Sequence, residues 1–408
     1  MKAVSRKKLA KVLLTIITLI IFILAIYIMN NYQSNEFKPK PDTNPVNNND
    51  KNLNDELDEK PVEEVPEKLS PAEEILSQMT LEEKIGQMFI VGFSGTEPDY
   101  YIDKMISKRN IAGVILMKHN ILNREQLIEL TNSLQLKSAT TNLAIPLFIA
   151  TDQEGGEIVR IRVAGVSEFS AQADIENKEQ AFKLASNRGK ELRELGININ
   201  FSPVLDYISD KESFLYSRTF QTSLAKTTEL GSAMVKGYQK YIISSPKHFL
   251  GHPDTIGDPH SSSVISNFSL EDIQKRISIF KKVNEESSPA MVMTSHIVYN
   301  NIDPQHPCSL SSNCINNYLK DSASLPSNSL VITDAMEMGA IADNYLDSEA
   351  AVMAIKAGND ILLYTKYPEK QVKAYEAIIE AVNKKEIDIS QINSSVLKIL
   401  NIKKQYLY

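Results

Sequence analysis

The densest run of reactive side chains in the chain is Lys247-His248-Phe249-Leu250-Gly251-His252-Pro253-Asp254-Thr255-Ile256-Gly257-Asp258-Pro259-His260. It holds three of the six histidines and two aspartates. Its glycines and prolines mark a loop. Asp258 and His260 are two apart, so on extended backbone both side chains face the same way, and Pro259 between them restricts the chain. A carboxylate bonded to one ring nitrogen orients an imidazole and raises its basicity, which makes a proton-shuttling pair. The bland reading is a loop that packs through its own hydrogen bonds.

Other reactive groups close apolar runs. Asp152 lies in Thr151-Asp152-Gln153-Glu154-Gly155-Gly156, Asp206 follows a fourth run, Lys247-His248 closes a fifth, His296 a sixth, and Asp334 stands in Ile332-Thr333-Asp334-Ala335-Met336. A charged group at the end of an apolar strand is costly to bury without a partner or a purpose. One such residue reads as a structural ion pair; five in succession point to a shared pocket.

The elements that must position them are short β-branched or apolar runs at 88–93, 112–117, 147–151, 197–201, 244–249, 291–296, 330–333 and 360–364, most separated by an amphipathic stretch. This alternation predicts an α/β fold, and eight strands over residues 69–408 predict a (β/α)8 TIM-type barrel as a single catalytic domain. The same alternation suits an open doubly wound sheet; the strand count and size select the barrel. Thr80 with Glu83, and Ser269 with Asp272, predict capped helix starts.

Residues 1–32 read differently. Lys2, Arg6, Lys7, Lys8 and Lys11 precede an apolar run over 12–29. That run is long enough for a transmembrane helix, with the cations kept cytoplasmic. Tyr27, Ile28, Met29 and Asn30 stand where a cleavage site would need small residues, so an uncleaved anchor is expected. Residues 33–68, rich in Asn, Asp, Glu, Lys and Pro, are expected to be a disordered tether, spanning on the order of 35 Å. The expected location is therefore the cell membrane, single-pass, with the catalytic domain extracytoplasmic.

Composition narrows the partners. With 42% hydrophobic residues and 23% charged, the chain is globular. Its net charge of -7 and the lack of a basic block beyond the N-terminus argue against nucleic acid. Cys308 and Cys314 are too few for a disulfide scaffold; outside the cell they pair or stay free thiols. Metal-dependent amidohydrolase-type barrels also use His and Asp at strand ends, but they begin with His-x-His after the first strand, and Ile90-Val91-Gly92-Phe93 offers none. No metal and no cofactor is expected.

Three motifs carry a resemblance: Asp152-Gln153-Glu154-Gly155-Gly156 with Arg160, the Lys247–Thr255 run followed by Asp258-Pro259-His260, and Thr333-Asp334-Ala335-Met336. Over residues 70–408 they resemble glycoside hydrolase family 3, in its NagZ-like β-N-acetylglucosaminidase branch. The resemblance implies retaining release of terminal β-linked N-acetylglucosamine from cell-wall-type glycans. It implies Asp334 as nucleophile, His260 as general acid/base and Asp258 as its orienting partner. Asp152, Arg160, Lys247 and His248 would bind sugar hydroxyls, joined by Arg218 of Ser217-Arg218-Thr219-Phe220. Leu250, Pro253 and Pro259 depart from the branch's pattern without removing a reactive group. Alternatives are a non-catalytic glycan-binding barrel, and a phosphorylase or transglycosylase on the same fold.

Overall fold

The computed structural model describes residues 69–254, 258–259 and 262–408. Among them, eight parallel strands form one sheet: β1 Phe89–Val91, β2 Gly113–Ile115, β3 Phe148–Thr151, β4 Ile199–Asn200, β5 Ile243–Ser244, β6 Met291–Thr294, β7 Leu330–Ala335 and β8 Ile361–Tyr364. Their spatial order is β5-β4-β3-β2-β1-β8-β7-β6, the cyclic order of a barrel opened between β5 and β6. That gap is nearly closed. Phe249 bridges Thr294 in parallel, its N–H reaching the Met293 carbonyl at 2.9 Å and its carbonyl accepting the Ser295 N–H at 2.7 Å.

The strands are buried on both faces, which explains their apolar runs. In β1 all three residues are buried, and Ile90 pairs with Leu363 on one side and Gly113 on the other. Long amphipathic helices cover the outside, among them α1 Lys178–Glu194, α2 Leu224–Tyr238, α3 Leu270–Ser287, α4 Pro368–Asn383 and α5 Ile389–Leu407. The predicted caps form: Thr80 accepts from the Glu83 N–H at 3.2 Å while the Glu83 carboxylate accepts from the Thr80 N–H at 2.9 Å. Ser269 likewise accepts from the Asp272 N–H at 3.1 Å.

The expected fold class needs correction. The expected transmembrane helix and tether lie outside the described residues, and among the described residues no helix is long and apolar enough to cross a membrane. The described fold is a nearly closed eight-stranded parallel barrel of TIM type, and the transmembrane helix of the expected fold class is not among its helices. The strand boundaries also differ from the expected runs, and two of the differences bear on the site. The fifth run, expected over 244–249, keeps only Ile243–Ser244 as strand, because Pro246 has no N–H for a ladder. The seventh extends two residues further, carrying Asp334 inside the strand. Cys308 and Cys314 form a disulfide in the segment after β6.

Candidate active site

The C-terminal ends of the strands line a cavity of about 410 Å³. Asp152, Arg160, Arg218, Lys247, His248 and Asp334 all border it, so six of the eight residues singled out from the sequence meet in one place. Asp258 is described and half-buried. His260 lies outside the described residues, so the dyad enters here only through Asp258 and through Pro259, whose carbonyl accepts the Ala340 N–H at 3.0 Å.

One wall is an ion network built on the turn after β3. Gly155 has a φ of +93°, and a Cβ there would stand 2.1 Å from the Ser170 carbonyl oxygen, so only glycine fits. The turn leads Glu154 inward. Its carboxylate takes Arg218 through two bonds, Nε to Oε2 at 2.9 Å and Nη2 to Oε1 at 2.8 Å. Lys247 Nζ reaches Glu154 Oε1 at 2.7 Å and Asp152 Oδ1 at 2.8 Å. Arg160 Nη2 stands 3.8 Å from Asp152 Oδ2. Burial alone would raise the Glu154 carboxyl, but Arg218 and Lys247 outweigh it and hold it well below the carboxylate range. Burial would lower Lys247; Asp152 and Glu154 outweigh it, and the ammonium is held above its usual value.

Asp206 organises the next segment. One oxygen accepts the His248 N–H at 3.0 Å and faces His248 Nδ1 at 2.8 Å; the other accepts the His252 N–H at 2.7 Å and faces His252 Nδ1 at 2.8 Å. Burial opposes this carboxylate's charge, yet the two imidazoles hold it far below the usual range. An ionised Asp206 keeps the His248 proton on Nδ1 and leaves Nε2 free to accept. These three residues place possible metal-ligand atoms within 4.8 Å of one another. Each Asp206 oxygen already serves a backbone N–H and a ring nitrogen, so the group acts as a clamp on the His248 loop.

Asp334 closes the site. Its Oδ2 is 3.9 Å from His248 Nε2, and its Oδ1 accepts the Ala335 N–H at 2.8 Å. Burial pushes this carboxyl up, but His248, His296 and Lys247 override it and bring it down to about 2. It is an anion at neutral pH. His296 braces the strand behind it, with Nε2 3.1 Å from the Ala335 carbonyl and Nδ1 2.7 Å from Ser309 Oγ. Burial lowers the His296 imidazole, with Asp334 opposing; the neutral ring donates from Nε2 to the carbonyl.

Sequence reasoning assigned no role to Glu154, His252 or Glu337, and it expected Asp206 and His296 in the shared pocket, whose lining includes neither. Glu154 had a signal, since it sits two residues from Asp152 beside glycines. Asp206 and His296 ended apolar segments. Glu337 had none, because a glutamate at a helix approach reads as solvated.

An ionised carboxylate facing a wall of paired cations and carboxylates suits a polyhydroxylated ligand. The model of the glycosyl hydrolase family 3 N-terminal domain matches residues 80–402. The chain belongs to that family. A protein named beta-hexosaminidase A from Pseudoalteromonas piscicida is 31% identical over 74% of this chain, and the match spans 54% of that protein. A beta-hexosaminidase from Idiomarina loihiensis is 28% identical over 72% of this chain and 88% of its own length. A solved family 3 beta-N-acetylglucosaminidase from Paenibacillus sp. superposes with a TM-score of 0.77 at 30% identity, covering 80% of this chain and 63% of that one. The chain thus spans little more than half of the first of these relatives.

Proposed function

We propose that this chain is a retaining glycosidase that releases terminal β-linked N-acetylglucosamine through a covalent glycosyl-enzyme on Asp334. The observation that carries this reading is an ionised Asp334 in the same cavity as the Asp152, Lys247, Arg218 and His248 wall. That wall offers hydrogen-bond donors and acceptors for ring hydroxyls, and the named hexosaminidase relatives support the sugar class. A carboxylate oxygen of Asp334 attacks the anomeric carbon as the glycosidic C–O bond breaks, and the leaving oxygen takes a proton from His260. Water then donates its proton to His260 while its oxygen displaces Asp334. An anion at this point needs no deprotonation before attack, and its charge favours the positive charge that develops on the anomeric carbon and ring oxygen in the transition state. Asp152, Arg160, Arg218, Lys247 and His248 hold the ring, and Asp258 orients His260.

Cell-wall-type glycans are the proposed substrates. The Cys308–Cys314 bond supports an oxidising, extracytoplasmic setting for the catalytic domain. The test is an assay of the full chain with chromogenic β-N-acetylglucosaminide and β-glucoside, with and without phosphate. Release of free N-acetylglucosamine only from the first substrate is expected. Preference for the glucoside, or formation of a sugar 1-phosphate, would overturn the assignment.

A further inference from the structure

The strand that carries Asp334 does not pair evenly with its neighbour. In β7, Ile332 stands opposite Ile361 of β8 and Ala335 stands opposite Leu363, so Thr333 and Asp334 together face the single residue Leu362. Two residues against one make a β-bulge, which bends a strand locally and re-aims the side chains it carries. On the other edge the pairing is regular as far as Thr333, which stands opposite Thr294 of β6. The irregularity thus lies between β7 and β8, at the residue before the end of β7, and the Asp334 it carries lines the cavity.

A bulge interrupts the ladder, and the interrupted segment keeps one register only if other bonds hold it. Two side chains hold this one. Toward β8, the Leu363 N–H donates to Thr333 Oγ1 at 3.1 Å. Thr333 is 0% exposed, so water does not take over that bond when the hydroxyl is removed. Toward β6, His296 Nε2 donates to the Ala335 carbonyl at 3.1 Å, and the Ala335 N–H in turn donates to Asp334 Oδ1 at 2.8 Å. The bulge is fastened to both neighbouring strands, and Asp334 lies between the two fastenings.

We propose that Thr333 is a positioning residue, whose hydroxyl locks the bulge that aims the Asp334 carboxylate at the anomeric carbon. This rests on Asp334 being the nucleophile of a glycosidase. Thr333 is buried within the sheet and is not among the residues lining the cavity, so it acts through Asp334 and not on the sugar. A displacement of about 1 Å at a reacting group costs on the order of a hundredfold in rate. The ring itself is held by Asp152, Lys247 and Arg218, which stand on other strands and loops. Loss of the hydroxyl should therefore slow bond formation to Asp334 and leave binding of the sugar in place.

Thr333→Val keeps the side chain's shape and removes the hydroxyl, and Thr333→Ser restores the hydroxyl. The full chain and both variants are compared in the rate of covalent labelling by 5-fluoro β-N-acetylglucosaminyl fluoride and in the inhibition constant of N-acetylglucosamine. Fluoride leaves without a proton from His260, so the labelling rate reports the nucleophile. Thr333→Val is expected to label about tenfold to a hundredfold more slowly, with inhibition within about twofold of wild type, and Thr333→Ser to label within about threefold of wild type. If Thr333→Val does not fold, Thr333→Ala makes the same comparison. Labelling of the valine or alanine variant at the wild-type rate, an equal weakening of inhibition, or a serine variant as slow as the valine one would overturn the proposal while leaving the glycosidase reading intact. A wild-type chain that takes no label would remove the proposed nucleophile, and this inference with it.

Discussion

Glu154→Gln is the perturbation whose consequences the geometry states most fully. Three charge-assisted contacts of 2.7–2.9 Å converge on this carboxylate, which is 2% exposed. Glutamine keeps one acceptor oxygen, removes the charge, and turns an NH2 toward donors. Lys247 retains Asp152 at 2.8 Å, so its charge stays compensated. Arg218, 12% exposed at the side chain, has no other bonded carboxylate among the described residues. Removing one partner of a buried pair costs about 3–5 kcal/mol, and the surviving Asp152 contact places the loss near 3 kcal/mol. For a domain of this size the melting temperature should fall by roughly 4 °C. Because the folded Glu154 carboxyl lies below its unfolded value near 4.3, its contribution is present above that pH and lost as pH falls. The gap between wild type and variant should therefore be constant from pH 5 to 8 and narrow below about pH 4. Displacing Arg218 and Lys247 from the ring should also cost about a hundredfold in kcat/KM. Urea melts with steady-state kinetics measure both, and a double-mutant cycle with Arg218→Met should show coupling of at least about 1 kcal/mol. A variant within 1 kcal/mol of wild type, or additive losses, would refute the claim that this network organises the site.

Two other outcomes follow from buried groups. Reducing the disulfide, or Cys308→Ser with Cys314→Ser, should cost about 2 kcal/mol for so short a loop; it should also slow turnover, since Ser309 holds His296 behind Asp334. Alkylation without reductant should label neither cysteine, and two labels would contradict the bond. Lys403 is fully buried, with Nζ 2.8 Å from both Gln87 Oε1 and the Ala112 carbonyl, and burial holds its pKa well below normal. Its folded value lies below its unfolded one, so stability should rise with pH toward 10 by up to about 1.4 kcal/mol per unit. Lys403→Met should lack that rise in melts from pH 7.5 to 10, and a shared slope would contradict the reading.

What was legible in the sequence was the set of charges that end apolar strands. Asp152, Lys247, His248 and Asp334 could be placed in one pocket because burial of such groups needs a reason. The barrel order followed from the count and spacing of the runs. Partners within the site were not legible. That Glu154 rather than Asp152 takes Arg218, or that Asp206 clamps two imidazoles, depends on loop paths that no local periodicity encodes. Pro246 ended β5 early, and this was readable in principle, since a proline cannot donate to a ladder. Glu337 was invisible because its burial arises from the Thr365 loop, twenty-eight residues later in sequence.

The central claim is that Asp334 forms a bond to the sugar. A 5-fluoro β-N-acetylglucosaminyl fluoride, which enters the glycosyl-enzyme faster than it leaves, tests it by intact-protein mass. The account predicts a gain of one fluorinated N-acetylhexosaminyl group, located by peptide mapping on Asp334, and no gain in Asp334→Ala. A label on another carboxylate, or undiminished turnover by Asp334→Ala, would contradict it.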